Sequence, residues 1–313
     1  VSTVGRPGPS APTGPVPSYS WPDGDDFTVT QYGSGGPGIA IGLLPHANEP
    51  LGSAVLPVAK KLASRFGRLW LLGPIEPPEP DARFPLPCEL TEFLALGRLP
   101  ALRDQVEFAH GAVVPHTSAQ CRADTLRRAV RAAEPSALVL LHNDPFARFP
   151  YLYADRPRPF AERRLLETDG FPSGTLERPG WTRRIGARTY AWFPAARLGV
   201  HGQEAAGVFL PRVLGIPVFT LELPMFRWDG VEQARRSIRE AMGAWIADGS
   251  GDPSGMLTTA HELLGGRRVE MVDAATTAEV IAAFLAGVVE EVHRAQQLGV
   301  PAATGARGPR RPG

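Results

Sequence analysis

Apolar residues along this chain gather into short unbroken runs, separated by longer stretches in which they recur every three or four positions. GIAIGLL (38–44) follows the turn-forming GSGGPG and reads as a buried strand. LGSAVLPVAKKLASRFG (51–67) has helical spacing and a terminal glycine cap, and RLWLLG (68–73) is a second strand. PIEPPEPDARFPLPCELTEF (74–93) is too rich in proline for regular structure and predicts a loop over the sheet. A helix follows over 117–135, where Thr117 or Ser118 can cap it, and then a strand over SALVLLHND (136–144). Residues 154–184 are polar and turn-rich and predict an excursion or lid. EAAGVFLPRVLG (204–215) predicts a helix interrupted or begun near Pro211, and IPVFTLELP (216–224) a strand; helices are expected over 231–246, 255–264 and 277–299. No internal repeat is present. The alternation predicts one α/β domain over 25–299, with a mixed, mostly parallel β-sheet flanked by helices.

Composition narrows the function classes. The 313 residues carry a formal net charge of +1, so no strong field points to nucleic acid or an anionic membrane. Lys60 and Lys61 are the only lysines among 33 basic residues, a bias typical of a GC-rich genome that lowers the weight of any single arginine. Cys88 and Cys121 form neither a disulfide framework nor a CxxC metal motif, which fits a reducing compartment. The Pro/Gly/Ser-rich start (1–24) and the tail (300–313) are expected to be disordered. No apolar run reaches the roughly 18 residues of a membrane span, and the start lacks a signal-like apolar core. The expectation is a soluble, cytoplasmic protein with a small or neutral partner and no nucleic acid or membrane; its oligomeric state is not readable.

In sheets of this kind ligands bind beyond the carboxyl ends of strands. His46 and Glu49 in LLPHANEPLG, His142 in LLHND and Glu222 in FTLELP all fall at or just after such ends. A catalytic zinc takes three protein ligands from imidazole and carboxylate and keeps a fourth position open. His46 and Glu49 offer two from one turn, and His142 a third from a neighbouring strand. Glu222 is a carboxylate in an apolar strand end, a costly place without a partner or a task, and it is suited to moving a proton beside a metal. The structural alternatives are a turn or capping histidine at 46, a core histidine at 142, and a Glu222–arginine ion pair.

PHANEPLG resembles the HxxE zinc motif of the zinc carboxypeptidase family, SALVLLHND its strand leading to the second histidine ligand, and FTLELP the strand bearing its general-base glutamate. TSAQCRADTLRRAVRAAEP and HNDPFARFPYLY extend the resemblance, which runs from about Gly38 to Pro224. It implies a zinc carboxypeptidase-like fold, one Zn2+ per chain on His46, Glu49 and His142, and Glu222 as general base. The chain departs from the family in having no Asn-Arg dipeptide to hold a substrate carboxylate. Arg103, in ALRDQVEFAHG, is the candidate for stabilising an oxyanion or binding a carboxylate. His201, in RLGVHGQE, occupies the region of the family's mobile tyrosine.

Other signals carry less. HELLGG at 261 cannot form HExxH because Gly265 holds the fifth position, and His110 and His116 fit no motif. The resemblance implies a zinc metallohydrolase cleaving an amide of a peptide. Its alternatives are an N-acyl amino acid deacylase of the aspartoacylase or succinylglutamate desuccinylase type, another amidase, and a non-catalytic peptide-binding relative.

Overall fold

Four strands with near-continuous apolar sequence, β2 (Ile39–Gly42), β3 (Leu69–Gly73), β4 (Ala137–Asp144) and β7 (Val218–Pro224), run parallel at the centre of a seven-stranded sheet. Such sequences suit strands covered on both faces. β1 (Thr28–Tyr32) pairs antiparallel with β3 at one edge. At the other edge β5 (Tyr151–Ala154) pairs antiparallel with β7 and parallel with β6 (Thr189–Ala191), giving the order β1-β3-β2-β4-β7-β5-β6. The sheet is thus mixed and mostly parallel, as expected. The computed structural model describes residues 17–21, 26–172, 174, 183–248 and 252–298.

Alternation along the central strands feeds two cores. Ile39, Ile41, Val139 and Leu141 face one side, under α1 (Ala59–Phe66), α4 (Pro159–Leu166) and α8 (Ala274–Gln297). Ala40, Leu138 and Leu140 face the other, under α3 (Ser118–Ala133) and α5 (Ala206–Leu214). The helix α2 (Leu90–Leu96) packs with α7 (Ser254–Leu264), which lies against α6 (Glu232–Asp248). Thr117 caps α3 by accepting from the Gln120 N–H, and the Gln120 side chain accepts in return from the Thr117 N–H.

Several elements differ from the pattern reading. The segment expected to be one helix over 51–67 opens as a 3-10 helix over 50–58, because Pro57 removes an amide donor, and becomes α-helical only at Ala59. The proline-rich segment 74–93 is not wholly irregular: past its last proline, Glu89 and Glu92 form a capping box that starts α2. The excursion over 154–184 includes α4, which has Pro159 in its first turn and lays Ala161 and Leu165 into the main core. The later part of that excursion, 173 and 175–182, lies outside the described residues.

Of the two ends expected to be disordered, 1–16, 22–24 and 300–313 also lie outside them. Residues 17–21 are held instead. The Tyr19 hydroxyl donates to the Val272 carbonyl at 2.6 Å and Trp21 Nε1 to the Phe84 carbonyl at 2.8 Å, because two aromatic rings in a polar segment gain by burial. No helix among the described residues is long and apolar enough to cross a membrane. Cys88 is buried and Cys121 exposed, both as free thiols.

Candidate metal centre

Chain direction at the centre of the sheet opens the site. From β2 the chain crosses to β3 on one side, whereas from β4 it continues to β5 beyond β7 on the other. Loops leaving two neighbouring parallel strands in opposite directions leave a crevice at their carboxyl ends. Beyond β2, Leu44 takes a left-handed backbone (φ +48°), a conformation that costs a residue with a Cβ about 1 kcal/mol or more. It is pinned there by bonds from the Ile75 N–H to the Leu43 carbonyl (3.0 Å) and from the Glu76 N–H to the Leu44 carbonyl (2.9 Å). The turn closes when the Glu49 N–H donates to the His46 carbonyl at 3.1 Å.

The structure brings His46, Glu49 and His142 together: one ligand atom from each lies within 4.8 Å of the other two. The imidazole rings are 4.9 Å apart and close to perpendicular. His142 Nδ1 lies 3.1 Å from Glu49 Oε2, yet that oxygen makes no hydrogen bond. Asn143 fixes the loop: its Oδ1 accepts the Leu51 N–H at 2.9 Å and its backbone N–H donates to the Glu49 carboxylate. Because Leu51 needs that acceptor, the Asn143 amide cannot flip, and its buried Nδ2 is left without a hydrogen-bond partner. Glu222, half-buried, sits in register with His142 across the β4–β7 ladder and lines the same cavity.

Two further carboxylates that pattern reading missed complete the cluster. Glu76, just past β3, has Oε2 3.8 Å from His46 Nδ1 and accepts the Val106 N–H at 3.1 Å. Glu107, in a 3-10 turn over 106–108, has Oε2 3.7 Å from His142 Nε2 and is 5% exposed. Each histidine therefore has a carboxylate behind it, the arrangement that orients metal-ligating imidazoles.

Electrostatics shows what the cluster suits. Burial drives the Glu107 carboxyl up to about 8, with the charges of Glu49 and Glu222 adding and His46 opposing. Burial likewise raises Glu49, against the pull of His46. Burial acts to lower His46, but Glu49 and Glu76 outweigh it and hold the imidazole up to about 9. For His142 burial wins, helped by His46, and takes it down to about 3. Buried carboxylates are stable when paired or when they coordinate a cation. Here a two-histidine, one-carboxylate donor set whose ligand atoms converge, with Glu49 Oε2 buried and unsatisfied, fits a divalent ion such as zinc, and His46, Glu49 and His142 could hold it.

The site opens into a cavity of about 870 Å³. Phe108, Tyr153, Trp192, Phe193, Met242 and Trp245 form much of its wall. Trp192 packs its indole against Gly207 of α5, where an added Cβ would come within 1.7 Å of the indole. Arg103 lines the mouth with its side chain 81% exposed and Nε 3.6 Å from Asp104. His201 is exposed and does not line the cavity, although its neighbour Val200 does. His110 is buried against Phe209 on the α3–α5 side, and His261 hydrogen-bonds within α7.

No protein-family model and no curated protein matches the chain. Solved structures similar to it include a protein assigned as a metallopeptidase from Shewanella denitrificans OS217, with 13% identity, TM-score 0.41, and coverage of 82% of this chain and 74% of that one. A metallo-carboxypeptidase from Burkholderia cenocepacia has 12% identity and TM-score 0.44 over 84% of this chain, which spans 58% of its length. A protein assigned to the succinylglutamate desuccinylase/aspartoacylase family, from Shewanella amazonensis SB2B, has 16% identity, TM-score 0.32 and coverage of 63% and 60%.

Proposed function

We propose that this protein is a metal-dependent hydrolase that cleaves an amide bond in a peptide or N-acyl amino acid, with zinc held by His46, Glu49 and His142. The observation that carries the reading is the convergence of that donor set at the crevice between β2 and β4, with Glu222 in register beside His142. When bound there, the metal would polarise the acyl carbonyl and make water a competent nucleophile near neutral pH. Glu222 would take a proton from the attacking water and return it to the departing amine as the C–N bond breaks and the new C–O bond forms. Asn143 Nδ2 is a neutral donor for the carbonyl oxygen, and Arg103, at the rim, would meet the outer, solvent-facing end of the substrate. Glu76 and Glu107 would hold the two imidazoles in orientation.

Glu222→Gln removes the proton acceptor and keeps the shape. The zinc-loaded variant should retain its metal and lose roughly 10²- to 10⁴-fold in kcat against a panel of N-acylated peptides. Unchanged turnover in that variant would rule out Glu222 as base, and peptide binding without hydrolysis in the zinc-loaded wild type would leave a binding protein.

A further inference from the structure

We infer that the substrate carries an aromatic or bulky apolar group beside the scissile amide and no carboxylate there; this inference rests on the hydrolase reading above. The charges lining the cavity are lopsided. Glu49, Glu107, Asp144 and Glu222 all reach it, and Arg103 at the solvent-facing mouth is the one basic side chain among its described lining residues apart from the two histidines. A single dication offsets two of those four carboxylates. Asp144 already accepts hydrogen bonds from the Tyr151 hydroxyl at 2.9 Å and the Phe146 N–H at 2.8 Å.

A substrate carboxylate next to the scissile bond would lie among carboxylates, with no guanidinium other than that of Arg103 among the described lining residues to receive it. Burial without such a partner is costly. The donor that the deep end does offer, Asn143 Nδ2, is neutral and suits an amide carbonyl. The wall explains what binds in place of the carboxylate. Tyr153 faces Trp192 at 5.3 Å and Phe193 at 5.9 Å between ring centres, and Trp245 and Phe108 add further aromatic surface. Such a wall takes up an aromatic ring in offset or edge-on contact. An acidic group can be accepted only far from the reacting carbonyl, near Arg103.

The test uses three probes on the zinc-loaded full chain: N-acetyl-Phe-Phe as the free acid, the same dipeptide as its C-terminal amide, and N-acetyl-Ala-Ala amide. The Phe-Phe amide should exceed both others in kcat/KM by about tenfold or more. Equal or better cleavage of the free acid, or of the alanine probe, would overturn the inference. Equilibrium binding of the same probes to zinc-loaded Glu222→Gln separates this from failure of the hydrolase reading. If wild type cleaves none of them, that reading falls by itself, and the binding order still decides. Tightest binding of the Phe-Phe amide supports the inference; tighter binding of the free acid, or no discrimination, refutes it. Trp245→Ala should narrow the phenylalanine-over-alanine ratio and leave zinc content unchanged.

Discussion

Glu107 carries no motif, yet its Oε2 lies 3.7 Å from His142 Nε2 and the residue is almost wholly buried. If it orients that ligand, Glu107→Gln should weaken metal affinity about 10- to 100-fold in a chelator competition, with the fold intact by circular dichroism. Affinity equal to wild type would reduce Glu107 to a bystander. The rule that singled out His46 and Glu222, polar groups just past strand ends, also applies to Glu76 after RLWLLG, so that residue was within reach of the sequence. Glu107 was not, because it arrives from an irregular turn whose position depends on the α3–β3 packing around it.

His110 gives a pH signature away from the candidate metal centre. Burial, with Arg127 adding, lowers its imidazole to about 4 from an ordinary 6.5. Between those values the unfolded chain binds a proton that the folded chain refuses. The stabilisation is therefore complete above about pH 6.5 and is lost as pH falls toward 4, by about 3 kcal/mol in all. In urea unfolding from pH 7 to 5, His110→Gln should lose less stability than wild type; parallel losses would contradict this.

At the scale of elements, the long apolar strands and the periodic helices were legible because burial on two faces or one stripe leaves a strong pattern. β1, β5 and β6 were not read. β5 and β6 are only four and three residues long, and β1 is mostly exposed, so length and alternation gave little signal. α4 was hidden in a polar segment because its anchoring is tertiary. It crosses α8 so closely that a Cβ on Gly287 would come within 2.5 Å of the Ala161 Cα and 2.8 Å of the Phe160 carbonyl. Alanine gains about 0.8–1.0 kcal/mol in helix propensity over glycine, but overpacking against backbone costs about 1–3 kcal/mol. Gly287→Ala should therefore be net destabilising in chemical denaturation, and a stabilised variant would show that the crossing opens freely.

For the molecule as a whole, the sheet gathers chemistry from four parallel strands to one edge: Glu76 after β3, His46 and Glu49 after β2, His142 in β4 and Glu222 in β7. The sequence order of these residues hinted at the edge but not at the crevice, since strand order depends on crossovers that no local pattern encodes. A metal held there by His46, Glu49 and His142 is the proposed centre of the chemistry. Elemental analysis of the purified chain after incubation with zinc, on wild type and on a variant combining His46→Ala with His142→Ala, tests it most directly. About one zinc per wild-type chain, absent from the double variant, is the predicted result. No zinc on wild type, or the same stoichiometry in both proteins, would contradict it.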